Sequence, residues 1–336
     1  MSGRHRVRHP VRVAAVWAVV ISAVAAIAAF TVSSRSGGEP SPAPGSSSTP
    51  RPTLTLLIVR TAPGPLMAVV ASGPDVEPAI VVVPPTIALT IPGQGDGRAM
   101  DAGELPAIDA ATAISNLLGV WIPHVAVTDA EHLAAVIDRA GGVEAFGSVQ
   151  SGEQVRDAID HQDPARGLTW RQALRGLFAV APAWSSEDFL ETDDAGAVAV
   201  LLEEAKGAVV RLVPTERTAP GYLRTDPEAL TRFVAEALGG PSTTPVPVVV
   251  LNGSGAPGVG QAVAARLIPA GFRVSISENA SSFDHDTTLV VAGTSADQGA
   301  AERVQALLGV GTVSVAGVPS GLGDVTIVVG KDYQTE

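Results

Sequence analysis

The sequence contains no cysteine among its 336 residues, and aromatic residues make up 4% of it. Without thiols the chain can form neither disulfide scaffolds nor thiolate zinc sites, iron–sulfur clusters or cysteine nucleophiles. Any chemistry must therefore use oxygen and imidazole groups. Hydrophobic residues make up 46% of the chain, which predicts a sizeable core and more than one domain.

Positive charge is scarce outside the first part of the chain. Residues 1–52 hold six arginines against Glu39, whereas the remainder holds 16 basic and 33 acidic residues. Affinity for nucleic acid depends on neutralising phosphates. We therefore expect no nucleic-acid partner.

The one long apolar run covers residues 13–32 and is interrupted only by Ser22 and Thr31. At about 1.5 Å per residue it would span roughly 30 Å, the thickness of a hydrocarbon core. Four arginines precede it, namely Arg4, Arg6, Arg8 and Arg12. The pattern predicts a single-pass transmembrane helix in the plasma membrane, a cytoplasmic tail at 1–12 and extracytoplasmic folded domains. A cleaved signal peptide is one alternative, and a buried core helix is another.

The rest of the chain divides by composition. Residues 33–52 are rich in Ser, Gly and Pro and predict a flexible linker. Residues 53–238 form the first predicted domain, 239–245 a second linker and 246–333 the last domain. In the first domain, β-rich runs at 54–59, 67–71, 79–83, 125–127 and 208–213 alternate with helical patterns at 106–118, 129–140, 169–178, 187–206 and 227–238. This alternation predicts an α/β sandwich with helices on both faces of one sheet.

Three stretches of this domain resemble the LytR-CpsA-Psr family of envelope phosphotransferases. They are residues 83–93, 122–144 and 168–174, and they read VPPTIALTIPG, IPHVAVTDAEHLAAVIDRAGGVE and LTWRQAL. The resemblance implies a bacterial envelope protein. It also implies a reaction, because members of the family transfer a lipid-linked polymer phosphate to peptidoglycan with arginines and acids that hold a pyrophosphate and a divalent metal.

The sequence departs from the family at the positions of the charged residues that hold the pyrophosphate and the metal. Pro84-Pro85-Thr86 replaces the family's Pro-Arg-Asp, and the arginine pairs expected after Leu174 are missing. A pyrophosphate site needs clustered positive charge or a metal held by carboxylates. A weak anion site could be rebuilt from Arg60, Arg98, Arg171 and Arg175, but the preferred interpretation is four solvated surface arginines. Asp96, Asp101 and Glu104 could hold a metal or form a polar loop; we expect no metal and no cofactor, with Mg²⁺ required only by a transferase.

The sequence pattern of the last domain predicts a small βαββαββ unit. Its expected strands lie at 246–251, 273–277, 287–291, 312–315 and 325–329, and its expected helices lie at 259–268 and 296–308. Its first turn, Asn252-Gly253-Ser254-Gly255-Ala256-Pro257-Gly258, contains a complete G-x-G-x-x-G pattern between a strand and a helix. That pattern can bind a dinucleotide, but the unit is too short for two mononucleotide halves. A tight turn with positive φ at its glycines is the alternative.

The same residues resemble the LytR C-terminal domain, a module often appended to LytR-CpsA-Psr proteins. The resemblance rests on VVVLNGSG at 248–255, AGFRV at 270–274, TTLVV at 287–291 and DVTIVVGKDY at 324–333. It implies a location in the cell envelope and binding to cell-wall glycan or envelope proteins. Phe283-Asp284-His285-Asp286 could bind a metal or form a solvated loop.

These observations lead to one hypothesis and two rivals. The hypothesis is a membrane-anchored envelope protein that binds or scaffolds in cell-wall assembly without catalysis. The first rival is an active phosphotransferase that attaches lipid-linked polymers to peptidoglycan. The second, a transcriptional attenuator, conflicts with the acidic and extracytoplasmic folded mass.

Overall fold

The computed structural model describes residues 52–73, 76–145, 147–160, 166–180, 184–219, 222–317 and 321–334. These residues form two compact units. Residues up to 245, together with 268–273, make the larger unit, and 246–267 with 274–334 make the smaller one. The predicted cytoplasmic tail and the first linker, apart from its last residue, lie outside the described residues.

The larger unit is built on a six-stranded mixed sheet with the strand order β10-β3-β2-β1-β6-β9. β1 pairs antiparallel with β2 and parallel with β6. The described strands of the unit are β1 (Thr53–Arg60), β2 (Leu66–Ser72), β3 (Ala79–Val83), β4 (Ala88–Ile91), β5 (Gly95–Arg98), β6 (His124–Asp129), β7 (Val143–Ala145), β8 (Ser148–Gln150), β9 (Glu191–Thr192), β10 (Val209–Leu212), β11 (Glu216–Ala219) and β12 (Tyr222–Arg224).

Helices cover both faces of this sheet. They are α1 (Ala99–Gly103), α2 (Ala107–Leu118), α3 (Ala130–Arg139), α4 (Gly152–Asp160), α5 (Arg166–Val180), α6 (Ala195–Glu204) and α7 (Pro227–Leu238). Side chains alternate along β1, so Leu56 and Ile58 lie in the core under α1, α2 and α7, whereas Leu57 and Val59 lie in the core under α3, α5 and α6. The α/β part of the fold class is confirmed.

Two local predictions are wrong. The helix expected at 187–206 is a 3-10 turn at Ser186–Asp188, strand β9 and helix α6. A continuous helix is interrupted there because the Leu190 amide donates a hydrogen bond to the carbonyl of Val127 in β6. The Asp194 carboxylate then caps the start of α6. Helix α3 begins after Asp129 rather than after Thr128, since the Asp129 side chain accepts bonds from the first-turn amides.

The smaller unit holds a five-stranded sheet with the order β14-β13-β17-β15-β16. Its elements follow the predicted order strand, helix, strand, strand, helix, strand, strand. They are β13 (Val246–Asn252), α8 (Val259–Leu267), β14 (Phe272–Asn279), β15 (Leu289–Ala292), α9 (Gln298–Leu308), β16 (Thr312–Val315) and β17 (Val325–Val329). β13 and β17 run parallel, so their carboxyl ends meet at one edge.

The predicted transmembrane helix and the single-pass localisation are contradicted. Within the described ranges, no helix has the length and apolar character that crossing a membrane requires. The longest helix named above, α5, has 15 residues and rises about 22 Å, short of roughly 30 Å of hydrocarbon. The run at 13–32 lies outside the described residues. The fold class is corrected to α/β over the described residues, none of whose helices could span a membrane.

Candidate functional site

The candidate site of the larger unit lies at the carboxyl ends of β1 and β6. The two strands are parallel, and their last residues, Arg60 and Asp129, stand opposite each other. Ligands of α/β sheets bind outside the carboxyl ends of parallel strands. Three pairs of a basic and an acidic side chain lie at this edge.

The first pair joins Asp129 to His132. The Asp129 carboxylate accepts bonds from the amides of Glu131 and His132 at 3.0 and 2.8 Å, and its Oδ1 lies 2.8 Å from the imidazole Nδ1. The hydrogen bond to Asp129 raises the pKa of His132. At Asp129, burial raises the pKa of the carboxyl, but the hydrogen bonds from His132 and Glu131 outweigh burial and lower that pKa below its ordinary value.

The shifted pKa values predict a pH-dependent contribution to stability. The contribution of His132 is complete below its ordinary pKa of about 6.5 and is lost as pH rises through its raised value; that of Asp129 is present above about 3.9 and is lost as pH falls through its lowered value. The effect should stay below about 1 kcal/mol because the pair is partly exposed. In an NMR titration Asp129→Asn, which still caps α3, should lower the pKa of His132. An unchanged titration midpoint would contradict the prediction.

The second pair joins Arg139, in the last turn of α3, to Asp188. The Asp188 side chain is 4% exposed. It accepts bonds from Arg139 Nη2 at 2.5 Å, from the Ser185 amide at 2.7 Å and from Ser185 Oγ at 3.0 Å. The Thr128 hydroxyl donates to the carbonyl of Asp188 at 2.7 Å. The segment 185–188 is therefore fixed against the ends of β6 and α3.

The third pair joins Arg60 to Glu191 in β9. Arg60 Nη2 lies 3.4 Å from Glu191 Oε2, and the Ala107 amide donates to Glu191 Oε1 at 2.9 Å. Ala107 is the first residue of α2. One carboxylate thus bridges a guanidinium and a helix N-terminus.

The other predicted arginines lie elsewhere. Arg98 forms two bonds of 3.0 Å with the carboxylate of Asp101, and the hydrogen bond raises the pKa of the Arg98 guanidinium. Its neighbour Ala99 belongs to the core on the α2 side of the sheet. Arg171 and Arg175 are exposed on α5, which packs on the opposite face. The structure thus brings Arg60 to the site but places Arg98 and the α5 arginines on opposite sides of the sheet.

The metal candidates of the sequence follow one another along a strand and a helix, with Asp96 in β5, Asp101 in α1 and Glu104 directly after α1. Asp101, in the first turn of α1, is bonded to Arg98. Across the described part of the chain, no three His, Asp or Glu side chains are grouped to hold a metal ion.

The turn 252–258 of the smaller unit is held by its own side chains. The side-chain oxygen Oδ1 of Asn252 accepts from Ser254 Oγ at 3.0 Å and from the Gly255 amide at 2.9 Å, while the side-chain nitrogen Nδ2 of Asn252 donates to the carbonyl of Ala256 at 2.9 Å. The two later glycines, Gly255 and Gly258, have φ of 75° and 77°. Glycine is needed at both because this region is strained for other residues.

The glycines of the turn approach the protein's own loop. A Cβ on Gly253 would lie 2.8 Å from the His285 ring, and one on Gly255 would lie 3.1 Å from Phe283. In a dinucleotide fingerprint the glycines let the backbone approach a pyrophosphate. Here the side chains of the 283–285 loop take that space at both positions, which favours the structural interpretation of the motif.

Comparison with known proteins matches residues 245–333 to the family of the LytR cell envelope-related transcriptional attenuator. This confirms the resemblance of the smaller unit to a LytR C-terminal domain. No curated protein sequence is significantly similar to the chain.

Several solved structures are similar to part of the chain. A transcriptional regulator from Enterococcus faecalis is 17% identical, with a TM-score of 0.45, over 57% of this chain and 90% of the other. TagV from B. subtilis is 14% identical, with a TM-score of 0.46, over 58% of this chain and 100% of the other. The LytR-CPS2A-psr family protein TagT, with bound octaprenyl pyrophosphate lipid, is 13% identical, with a TM-score of 0.45, over 56% of this chain and 91% of the other. They include a member of the family that the sequence motifs resemble.

Proposed function

We propose that the chain is a non-catalytic protein of the bacterial cell envelope that binds cell-wall glycan or the proteins that assemble the wall. The observation that carries the proposal is the charge pairing at the carboxyl ends of β1 and β6. Each of the three basic side chains described there, Arg60, His132 and Arg139, has a carboxylate of the same chain as its partner.

Phosphoryl transfer requires positive charge that is directed at the transferring group, and the basic side chains described here are already paired with carboxylates. Negative charge develops on the transferring group and must be offset by cations aimed at it. At this edge Asp129, Asp188 and Glu191 neutralise the local cations, and Arg98 and Arg175 are on opposite sides of the sheet. The described residues at this edge therefore present no concentration of positive charge to a ligand.

The smaller unit supports an envelope role. It lies almost entirely within the span 245–333, which matches a cell envelope-related family. The surface at the carboxyl ends of β13 and β17 carries the exposed ring of Phe283, which is 47% exposed, beside polar backbone. Aromatic rings with polar neighbours suit contact with amphipathic ligands such as sugars.

The test is a binding and transfer assay on the full chain. We expect sedimentation with isolated bacterial cell walls and no transfer of phosphate from a polyprenyl-pyrophosphate donor, with or without Mg²⁺. The rival phosphotransferase predicts Mg²⁺-dependent transfer that Arg98→Ala abolishes and that Arg156→Ala, at an exposed ion pair of α4, leaves intact. Such transfer would overturn the proposal, and so would failure to bind walls.

A further inference from the structure

Strand β16 forms one edge of the five-stranded sheet in the smaller unit. In the described part of the chain it has a single strand neighbour, β15, with which it runs parallel. The amides of Thr312 and Ala316 donate to carbonyls of the β15 segment at 3.0 and 2.9 Å. Because successive residues of a strand direct their backbone groups to opposite sides, those of Val313 and Val315 point away from the sheet.

This edge is accessible and uncharged. Thr312 and Val315, the two end residues of β16, are exposed. The chain contains no charged residue between Arg303 and Asp324. Natural proteins usually protect an open sheet edge with a charged residue, a proline or a bulge. Strand β16 has none of these.

The outer strands at the other edges of the two large sheets carry charge. Strand β9 contains Glu191, β10 contains Arg211, and β14 contains Arg273 and Glu278. Pairing β9 or β10 with its own copy would bring like charges close together, which destabilises a strand pair. No such repulsion opposes the pairing of β16 with a second β16.

We propose that β16 is the contact through which two copies of this chain associate. The two β16 strands pair antiparallel about a two-fold axis at Ser314. Val313 then lies opposite Val315 of the second copy, and each of the two valine pairs exchanges two backbone hydrogen bonds. Facing β-branched side chains stabilise a strand pair, and a two-fold contact closes on itself instead of growing into a fibre. The inference goes beyond the proposed function, because it does not depend on what the chain binds.

The surroundings of β16 leave room for the second copy. Gly311 and Gly317 have φ of 97° and 75°, so the extended backbone ends at both glycines and pairing is confined to residues 312–316. The axis at Ser314 places Gly317 of the second copy opposite Gly311, beside a groove of about 270 Å³. The groove is lined by Gln305, Ala306, Gly309, Val310 and Gly311.

Helix α9 is compatible with this arrangement. It contacts β15, β16 and α8, so it lies above the outer part of the sheet. With neighbouring strands about 4.8 Å apart, α9 would lie about 10 Å from its copy across the axis, an ordinary distance for packed helices. The interface is small, so we expect a reversible equilibrium between monomer and dimer.

The experiment follows the full chain by analytical ultracentrifugation over a range of protein concentrations, with hydrogen exchange of single amides measured by NMR. We expect the sedimenting mass to rise from monomer towards dimer. The Val313 and Val315 amides should exchange more slowly as the dimer forms. The amides of Thr312 and Ala316, which are bonded within the chain, should show no such change.

Two variants act on the edge and one serves as the control. Val313→Pro removes an N–H that points away from β15, and with it two of the bonds across the axis, so it should weaken dimerisation at least about tenfold. Val315→Lys places a charge on the edge and should also weaken dimerisation. Val149→Ser replaces a valine of the larger unit that is 69% exposed, and it should leave dimerisation unchanged.

Protection of the Thr312 and Ala316 amides shows whether each variant keeps β16 folded, and if Val313→Pro loses it, Val315→Lys decides. The proposal is overturned if the chain is monomeric at every concentration, which would leave the edge to a strand of another protein. It is also overturned if the folded edge variants dimerise as strongly as the unchanged protein, or if dimerisation leaves exchange of the Val313 amide unchanged.

Discussion

Replacing Arg139 by alanine is expected to lower the free energy of unfolding of the larger unit by about 3 kcal/mol. The substitution leaves the Asp188 carboxylate, which is 4% exposed, without its charged partner. An unpaired buried charge is among the most destabilising defects in a folded protein. The value lies at the lower end of the usual range because Arg139 is itself 43% exposed, so water replaces part of the interaction.

The measurement is urea denaturation followed by tryptophan fluorescence. Trp170 and Trp184 are both buried in the core beside α3 and α5, and the last 91 residues contain no tryptophan. Arg156→Ala is the control. Arg156 faces Glu153 and Asp157 at 3.8 and 3.3 Å on the exposed side of α4, and its loss should change stability by less than about 0.5 kcal/mol. Equal midpoints for the two variants would show that Asp188 does not depend on Arg139.

The sequence predicts most of the fold because its periodicities are strong. The apolar runs of β1 to β3 are buried on both faces, and such strands appear as unbroken Leu, Ile and Val segments. Helix α7 begins at Pro227 and ends before Gly239, which has φ of 62°. These are the proline start and glycine stop that local rules recognise.

The short hairpins β4–β5, β7–β8 and β11–β12 do not stand out in the sequence. Each strand has only three or four residues, too few for an alternating pattern. Burial also departs from the apolar pattern of α2, because Ile108 is 56% exposed although Ala107 and Ala111 are buried.

The candidate site is less predictable than the fold because its pairs are distant in sequence. Arg60 and Glu191 are 131 positions apart, and Arg139 and Asp188 are 49 apart. A helix over 187–206 would also have put Glu191 on a helical surface. The signal that could have corrected it is Asp193-Asp194, since aspartate before an apolar helical run is a frequent N-cap. Local rules detect caps and turns, but they do not show which distant side chain reaches them.

The second large effect is expected from Gly330→Ala in the smaller unit. A Cβ at this position would lie 2.4 Å from the carbonyl carbon of Thr287 and 2.7 Å from the Thr288 nitrogen. Both are backbone atoms, so no side-chain rotation relieves the overlap. The displaced segment carries a bonded network as well, because the Gly330 amide donates to Thr288 Oγ1 at 3.0 Å and that hydroxyl donates to Asp332 at 2.6 Å. We expect a loss of about 3 kcal/mol or more.

Gly299→Ala provides a matched control of opposite sign. Gly299 lies in α9, where an added Cβ would meet no atom within 4 Å, and alanine lowers the conformational entropy of the unfolded chain, which should stabilise the unit by about 0.5 kcal/mol. Because this unit lacks tryptophan, hydrogen exchange of the β13 and β17 amides is the suitable measurement. Gly330→Ala should lose protection in both strands, whereas Gly299→Ala should retain or increase it. If both variants kept full protection, the close approach of Gly330 to the 287–288 backbone would not be needed to hold this edge of the sheet.

Because β17 is parallel to β13, loss of the close approach of Gly330 should also loosen the turn at 252–258. The Gly253 amide in that turn donates a hydrogen bond to the carbonyl of Val329.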